Sequence, residues 1–310
     1  MPRDKIPILF NPSAGKGKAL RNKNRLEHLL RAYDIPYDLI ITRSEEDLKK
    51  LTRENARRGR TLVGAGGDST FHIMVDEIMK SGEEVNFGMI GLGSSNDISK
   101  EIQADTLEKA CLALQAGRRT RIDLGCISKE KTILRYFIGQ ANIGLGAWVN
   151  RYVENLAQGR LHLGRNQVVA GILGIIRSYL AKKIPVSLTI ESEEGKVAGQ
   201  YVLAVFSNIR YWATGREINP AARPDDGWLD ACLIEACSLP RLARLAALSR
   251  KGKHVKAKEV KILRSRDFVI SSEQPFLVQA DGEILGGTGE AASFNTIQFT
   301  VIPQALNIIC

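Results

Sequence analysis

Hydrophobic positions over roughly the first 120 residues fall into short unbroken runs, separated by longer stretches with helical spacing. Ile6–Phe10, Tyr37–Ile41, Thr61–Val63 and Asn86–Ile90 read as strands. Between them lie helical patterns near Lys16–Ala32, near Glu45–Ala56, after Thr70 and over Thr106–Ala116. Continuous apolar runs suit strands covered on both faces, so this βαβα order predicts a mostly parallel sheet with helices on both faces. Ligands of such sheets bind beyond the carboxyl ends of the strands.

After Arg118 the texture changes. Arg121–Ile127 and Thr132–Ala141 alternate like strands, and Val186–Ser192 with Val197–Ser207 predict a hairpin around Glu194-Gly195. Trp228–Ile234, Val260–Leu263, Phe268–Ser271, Pro275–Gln279 and Thr296–Ile302 continue in the same style. The predicted organisation is an α/β domain over residues 1–125, to which 303–310 return, and an antiparallel β-sandwich-like domain over 126–302. One helical interruption, Gln167–Leu180, sets Val168, Ile172, Ile175, Ile176 and Tyr179 along one face. It is read as packed into a core in preference to touching lipid.

A chain of 310 residues, 44% hydrophobic and 25% charged, has enough apolar material for two such cores. Val168–Leu180 is interrupted by Gly171, Gly174 and Arg177, so no run approaches the ~18 apolar residues of a membrane span. Only Ile6–Phe10 stand between the charged start and Asn11, too short for a signal peptide, which predicts a cytoplasmic protein. The five cysteines are odd in number and lack metal-ligand spacing, so they are read as reduced. The four histidines are scattered, which argues against a histidine metal site. Of the net charge of +10, Arg241–Arg266 carries ten cations against the single acid Glu259. Such a segment is either a solvated surface or attracted to an anionic membrane face. With 6% aromatic residues and no RNA-binding or zinc-finger pattern among the cations, nucleic acid is not the expected partner.

Three glycine-rich segments follow predicted strands. Gly64-Ala65-Gly66-Gly67-Asp68-Ser69-Thr70 opens a helix, and its amides can approach a phosphate while Asp68 faces a metal or a hydroxyl. Asn11-Pro12-Ser13-Ala14-Gly15-Lys16-Gly17-Lys18 offers amides and either Lys16 or Lys18, without Walker A spacing. Gly91-Leu92-Gly93-Ser94-Ser95-Asn96-Asp97 adds hydroxyls and a second carboxylate, and lacks the last glycine of the dinucleotide fingerprint. Each alone is compatible with a simple turn.

Taken together with Pro220-Ala221, Asp226-Gly227-Trp228-Leu229-Asp230 and Asp281-Gly282-Glu283, these segments resemble the diacylglycerol kinase catalytic-domain family, from residue 6 to about 303. The resemblance implies an ATP-dependent kinase acting on a lipid hydroxyl, with magnesium, a nucleotide-binding α/β domain and a β-sandwich-like second domain. It places ATP against Asn11, Pro12, Ser13, Ala14, Gly15, Thr42, Gly66, Gly67, Asp68, Ser69, Thr70 and Ser94. It assigns Asp97 and Asp123 to a network near a catalytic Mg2+. Asp226, with the backbone of Arg223 and Trp228, is assigned to a structural Mg2+. Asp281 and Glu283 belong to the segment supplying the catalytic base, with Asp68 as a further functional carboxylate. The implied partner is a lipid at an anionic membrane surface, on the inner face of the membrane, with a homodimer left open as its assembly.

The chain departs from the family pattern where Ser69 replaces a glycine, and His72 and Ile73 replace Asn-Glu. If position 69 needs a positive φ, serine costs about 1 kcal/mol there. These departures keep two alternatives open: a catalytically silent nucleotide or lipid sensor, and an enzyme of the NAD kinase type.

Overall fold

The computed structural model describes residues 5–59, 61–158, 167–181, 183–285 and 293–310. In the amino-terminal half β1 (Ile6–Phe10), α1 (Ala14–Ala32), β2 (Tyr37–Ile41), α2 (Glu45–Arg58), β3 (Thr61–Gly66), α3 (Asp68–Ser81), β4 (Asn86–Gly91), α4 (Asp97–Glu101) and α5 (Leu107–Ala116) follow one another. β1 pairs in parallel with β2 and β3, and β3 with β4. The helices carry local signals that fix their ends. Ser44 caps α2 by accepting from the Asp47 amide, ahead of Glu45, Glu46 and Asp47 in the first turn, where carboxylates suit the helix dipole. Thr106 caps α5 in the same way, and Gly117 closes it in the left-handed region.

The carboxyl-terminal half comprises β5 (Arg119–Lys129), β6 (Thr132–Phe137), β7 (Gln140–Gly144), α6 (Leu145–Gln158), α7 (Gln167–Leu180), β8 (Val186–Ser192), β9 (Gly195–Ser207), β10 (Tyr211–Trp212) and β11 (Arg216–Glu217). It ends with β12 (Leu229–Glu235), α8 (Leu239–Leu248), β13 (Val260–Ser265), β14 (Asp267–Ala280), β15 (Glu283–Ile284) and β16 (Ser293–Ile309). Its strands pair antiparallel in the order β13-β12-β9-β7-β14-β16. β16 spans both halves: its start pairs with β14, while Asn307 and Ile308 pair in parallel with β4.

Alternation along β9 and β12, broken once by a register shift between Tyr201 and Leu203, divides the second half into two layers. Tyr201, Ala204 and Phe206 with Leu229, Ala231 and Leu233 face one core, where the Phe206 ring lies 5.2 Å from Phe268 and 4.5 Å from Phe299. Val202, Leu203 and Val205 with Cys232 and Ile234 face the other, which α6, α7 and α8 cover through Leu145, Ile175, Leu242 and Leu245. Period-two patterning of this kind buries both sheet faces at once.

Several elements differ from the sequence reading. Thr132–Ala141, read as one strand, is two strands bent at Ile138-Gly139, where a carboxylate draws the backbone amides off the ladder. Phe268–Ser271 and Pro275–Gln279 are one strand, with a register shift between Ser271 and Phe276. Helices α6 and α8 lie in segments that composition alone left unassigned. Helix α7, read as core-packed, buries only one side: Gly174 and Ser178 are covered, whereas Ile172 and Ile176 are exposed. Val168 lies in α7, but its side chain is outside the described residues. Among the described residues no helix is long and apolar enough to cross a membrane.

Candidate active site

The loops after β1, β3 and β4 leave the same end of three neighbouring parallel strands, and their backbones touch. A Cβ on Gly93 would lie 2.6 Å from Gly67 Cα, and one on Gly15, at φ +60°, would lie 2.7 Å from Leu92 O. Only glycine permits this approach, which brings the three loop backbones together. Asn11 ties two of the loops together, donating through Nδ2 to Thr70 Oγ1 at 3.0 Å and accepting from the Ser13 amide at 3.0 Å. Asn96, in the left-handed region, accepts from the Gly93 amide at 2.8 Å. Pro12, Ser13 and Ala14 form the turn into α1, and Ser94 is exposed at the tip of the third loop. Thr42 is buried, and its hydroxyl donates to Phe10 O at 3.2 Å, stapling β2 to β1.

Ser69 lies in the first turn of α3 and is absent from the residues with positive φ. The strain expected at this position does not arise, because the chain is already helical there. Asp68 begins the helix, and Gly66 leaves room for the Thr70 side chain, which an added Cβ would overlap.

Asp68 and Asp97 form the acidic end of the site. Asp68 accepts from the Asp97 and Ile98 amides, each at 3.2 Å. Burial and the neighbouring charges of Asp97 and Asp281 outweigh these bonds and push its pKa from 3.8 up to about 6. Asp97 is also raised, chiefly by burial and against the amides of Thr214 and Gly215. One of its oxygens accepts from Thr214 at 3.1 Å, while Oδ1 is buried without a hydrogen-bond partner among the described residues. A buried anionic oxygen left in this way fits a cation that arrives with the ligand.

The remaining expected metal residues behave differently. Asp123 is fully engaged by backbone, accepting from Gly227 at 2.6 Å and Gln304 at 2.8 Å, and so staples the 223–228 loop to β16. Asp226 is bonded to Arg264 and accepts from the Trp228 amide at 3.2 Å, while Arg264 and Arg266 stack over the Trp228 ring. A guanidinium therefore stands against the Asp226 carboxylate, and the set Arg223, Asp226 and Trp228 does not fit a structural Mg2+ in this arrangement. Among the described residues no group of three or more His, Cys, Asp or Glu can hold a metal by itself.

Asp281 and Glu283 meet α3 and β6 at the other wall. Asp281 accepts from the amides of Ile138, Gly139 and Gln140 at 2.9, 3.0 and 2.7 Å, and its Oδ2 lies 3.2 Å from His72 Nδ1. That contact has ion-pair distance without an aligned hydrogen bond. With three backbone amides donating to it and the His72 imidazole beside it, Asp281 acts as the anchor of the 138–140 bend. Glu283 is likewise committed: burial opposes its charge, but His72 and Arg135 more than compensate and hold its carboxyl well below the usual range. Arg135 Nη1 lies 2.7 Å from Glu283 and 2.6 Å from His72 Nε2. Full burial opposes charge on His72, but Asp281 and Glu283 on its two sides outweigh it and push its pKa from 6.5 up to about 9.

A cleft of about 400 Å³ runs from Asp68 and Asp97 past Asp281 and Gly282. One wall is apolar, from Leu145 and Val149 of α6, Ile175 of α7, Ile209 and Trp212, and Gln140, Asn142, Asn150 and Gln279 line the cleft beside it. A larger groove of about 1390 Å³ lies between α5 and residues 220–225, and none of the glycine-loop residues lines it. The apolar wall and the His72–Arg135 pair escaped sequence reasoning. The first had a signal in the amphipathic spacing of Leu145, Trp148, Val149 and Tyr152, and the second in the polar residue at position 72.

Residues 5–127 match the family described as Diacylglycerol kinase catalytic domain, and residues 139–310 match the YegS C-terminal NAD kinase beta sandwich-like domain. A diacylglycerol kinase of Staphylococcus saprophyticus is 23% identical over 291 residues, covering 92% of this chain and 90% of that protein. One of Mycobacterium tuberculosis is 26% identical over 313 residues, covering 98% and 94%. A crystal structure described as a diacylglycerol kinase from Bacillus anthracis superposes with a TM-score of 0.73 at 16% identity, covering 100% of this chain and 97% of that one, a likeness of fold.

Proposed function

Because the chain belongs to the family in which a diacylglycerol kinase catalytic domain precedes a YegS C-terminal NAD kinase beta sandwich-like domain, we propose that it is an ATP-dependent lipid kinase. It transfers the γ-phosphoryl group to the hydroxyl of a membrane lipid. The observation that carries this reading is the cleft: one end is acidic and adjoins the glycine loops, and the other is walled by Leu145, Val149, Ile175 and Trp212. Such a shape suits an acceptor with a polar hydroxyl and an apolar body.

In this reading the loops that meet at Gly15, Gly67 and Gly93 cradle the phosphates, aided by the amino end of α3. Asp97, through its unengaged Oδ1, would hold Mg2+ together with the phosphate oxygens. When bound, that ion offsets the phosphate charge. In the transfer the bond from the γ-phosphorus to its bridging oxygen breaks and a bond to the acceptor oxygen forms. ADP leaves, and the hydroxyl proton passes to Asp68. Its raised proton affinity makes it a stronger base than an ordinary carboxylate while still ionised at neutral pH. His72, Arg135, Glu283 and Asp281 hold the opposite wall in place.

The test is purified protein with ATP, Mg2+ and a panel of lipid alcohols in anionic mixed micelles, set against an Asp68→Ala control. Phosphorylated lipid above the control is expected, and none from any acceptor would overturn the proposal. NAD phosphorylation without lipid phosphorylation would select the NAD kinase type instead. The apolar cleft wall argues against that outcome, and the unstrained helix at Ser69 removes the main motive for a silent sensor.

A further inference from the structure

Helix α7 turns two different faces outward and inward. At 100° per residue, Ile172, Ile176, Leu180 and Leu173 fall within one arc of about 100°, and they are 52%, 41%, 79% and 37% exposed. The opposite side is seated: Gly174 packs against Val149 and Tyr152, Ile175 lines the cleft, and Tyr179 reaches Cys237 O at 3.3 Å. Beside the exposed ridge runs a collar of cations over aromatic rings. Arg151 and Lys183 stack on Trp148 at 5.6 and 5.2 Å, and Arg177 stacks on Tyr152 at 5.6 Å.

The basic segment lies in the same layer. α8 and β13 share a core with α6 and α7 through Leu242, Leu245 and Val260. Arg241 is paired with Glu259 and Lys261 with Glu235, while Arg244 of α8 and Arg250, Lys251, Lys253, Lys256 and Lys258 between α8 and β13 are exposed. Exposed aliphatics, a Trp/Tyr belt with snorkelling cations, and an adjoining cationic field are the composition of a surface that lies at a bilayer interface.

We infer that an anionic lipid bilayer docks on the outer face of α7, with Ile172, Leu173, Ile176 and Leu180 entering the acyl boundary and the α8–β13 cations over the headgroups. This inference rests on the proposed lipid kinase reading and locates where its acceptor comes from. The helix whose outer face meets the bilayer presents Ile175 to the cleft, so an acceptor leaves the membrane beside the wall that receives its chain. A bilayer is favoured over a second copy of the chain because the ridge and its neighbouring cations would set like charges against each other in a symmetric pair.

The experiment compares wild type with the triple variant Ile172→Gln, Ile176→Gln, Leu180→Gln. Binding is measured by co-sedimentation with vesicles of phosphatidylcholine with and without phosphatidylglycerol. Wild type is expected to bind the anionic vesicles, and the variant at least tenfold more weakly. Both should phosphorylate equally a short-chain diacylglycerol kept below its aggregation limit. Equal vesicle binding by the two proteins overturns the inference, as does loss of a dimer in the variant with no vesicle binding by wild type. Independently, Leu180→Trp should gain quenching by brominated phospholipid over wild type, and no gain overturns it. If neither protein phosphorylates any acceptor while the binding difference persists, the kinase reading fails and the docking surface stands.

Discussion

Replacing Asp68 with asparagine should make the protein more stable at neutral pH and less stable in acid. In the folded chain Asp68 keeps its proton to about pH 6, whereas the unfolded chain releases it near 3.8. Between these values the folded state binds more protons, so stability falls as pH rises, and the full penalty applies above pH 6. At about 1.4 kcal/mol per tenfold change in proton affinity, that penalty is roughly 3 kcal/mol. The Asp68→Asn side chain carries no charge and escapes it. Asparagine has one oxygen where aspartate offers two to the Asp97 and Ile98 amides, which costs about 1 kcal/mol. The variant should therefore be about 1 kcal/mol less stable near pH 4 and about 2 kcal/mol more stable at pH 7.5. Urea unfolding of both proteins at the two pH values, with EDTA present, measures the difference, and a parallel transfer assay should find the variant inactive. A stability difference that stays constant between pH 4 and pH 7.5 would refute the reasoning, because it would mean that Asp68 is not charged against its surroundings.

Three further outcomes follow from individual contacts. Gly93→Ala sets a Cβ 2.6 Å from Gly67 Cα and should weaken ATP binding at least tenfold by calorimetry with the circular dichroism spectrum unchanged; undiminished affinity would mean that the loops are not the phosphate cradle. Arg264→Gln leaves Asp226 and Asp230 without their guanidinium; since Arg264 is 44% exposed, the loss should be about 1 kcal/mol. Millimolar magnesium should raise the unfolding midpoint of that variant more than that of wild type, and an equal rise in both would show that Arg264 does not substitute for a cation. Ser69→Gly should lower stability by about 0.5–1 kcal/mol, as glycine does in a helix, without raising turnover; a gain in turnover would show that serine obstructs the phosphate.

Much of the framework was legible in residue order because its causes are local. Ile6–Phe10 and Tyr37–Ile41 are strands with the bounds their apolar runs suggest, although only the first is covered on both faces: β1 buries Ile8, Leu9 and Phe10, whereas β2 leaves Asp38 and Ile41 exposed. The glycine loops were legible for a similar reason: three breaks after three strands of a parallel sheet must emerge at one end. Their family likeness followed from the residues themselves.

What the sequence by itself determined was the order of elements, the loop end of the parallel sheet and the family. Tertiary structure decided which charges are spent. Asp281, Glu283, Asp123 and Asp226 are indistinguishable as letters from Asp68 and Asp97, yet folding surrounds the first four with backbone amides, His72, Arg135 or Arg264. It leaves Asp68 with a raised proton affinity and Asp97 with a buried oxygen that has no hydrogen-bond partner among the described residues. Likewise, hydrophobic spacing identified α7 as a helix but not which side is covered, because that depends on where α6 and the second core stand. A carboxylate's chemistry and a helix's exposed face are set by neighbours distant in sequence, and only the packed chain supplies those neighbours.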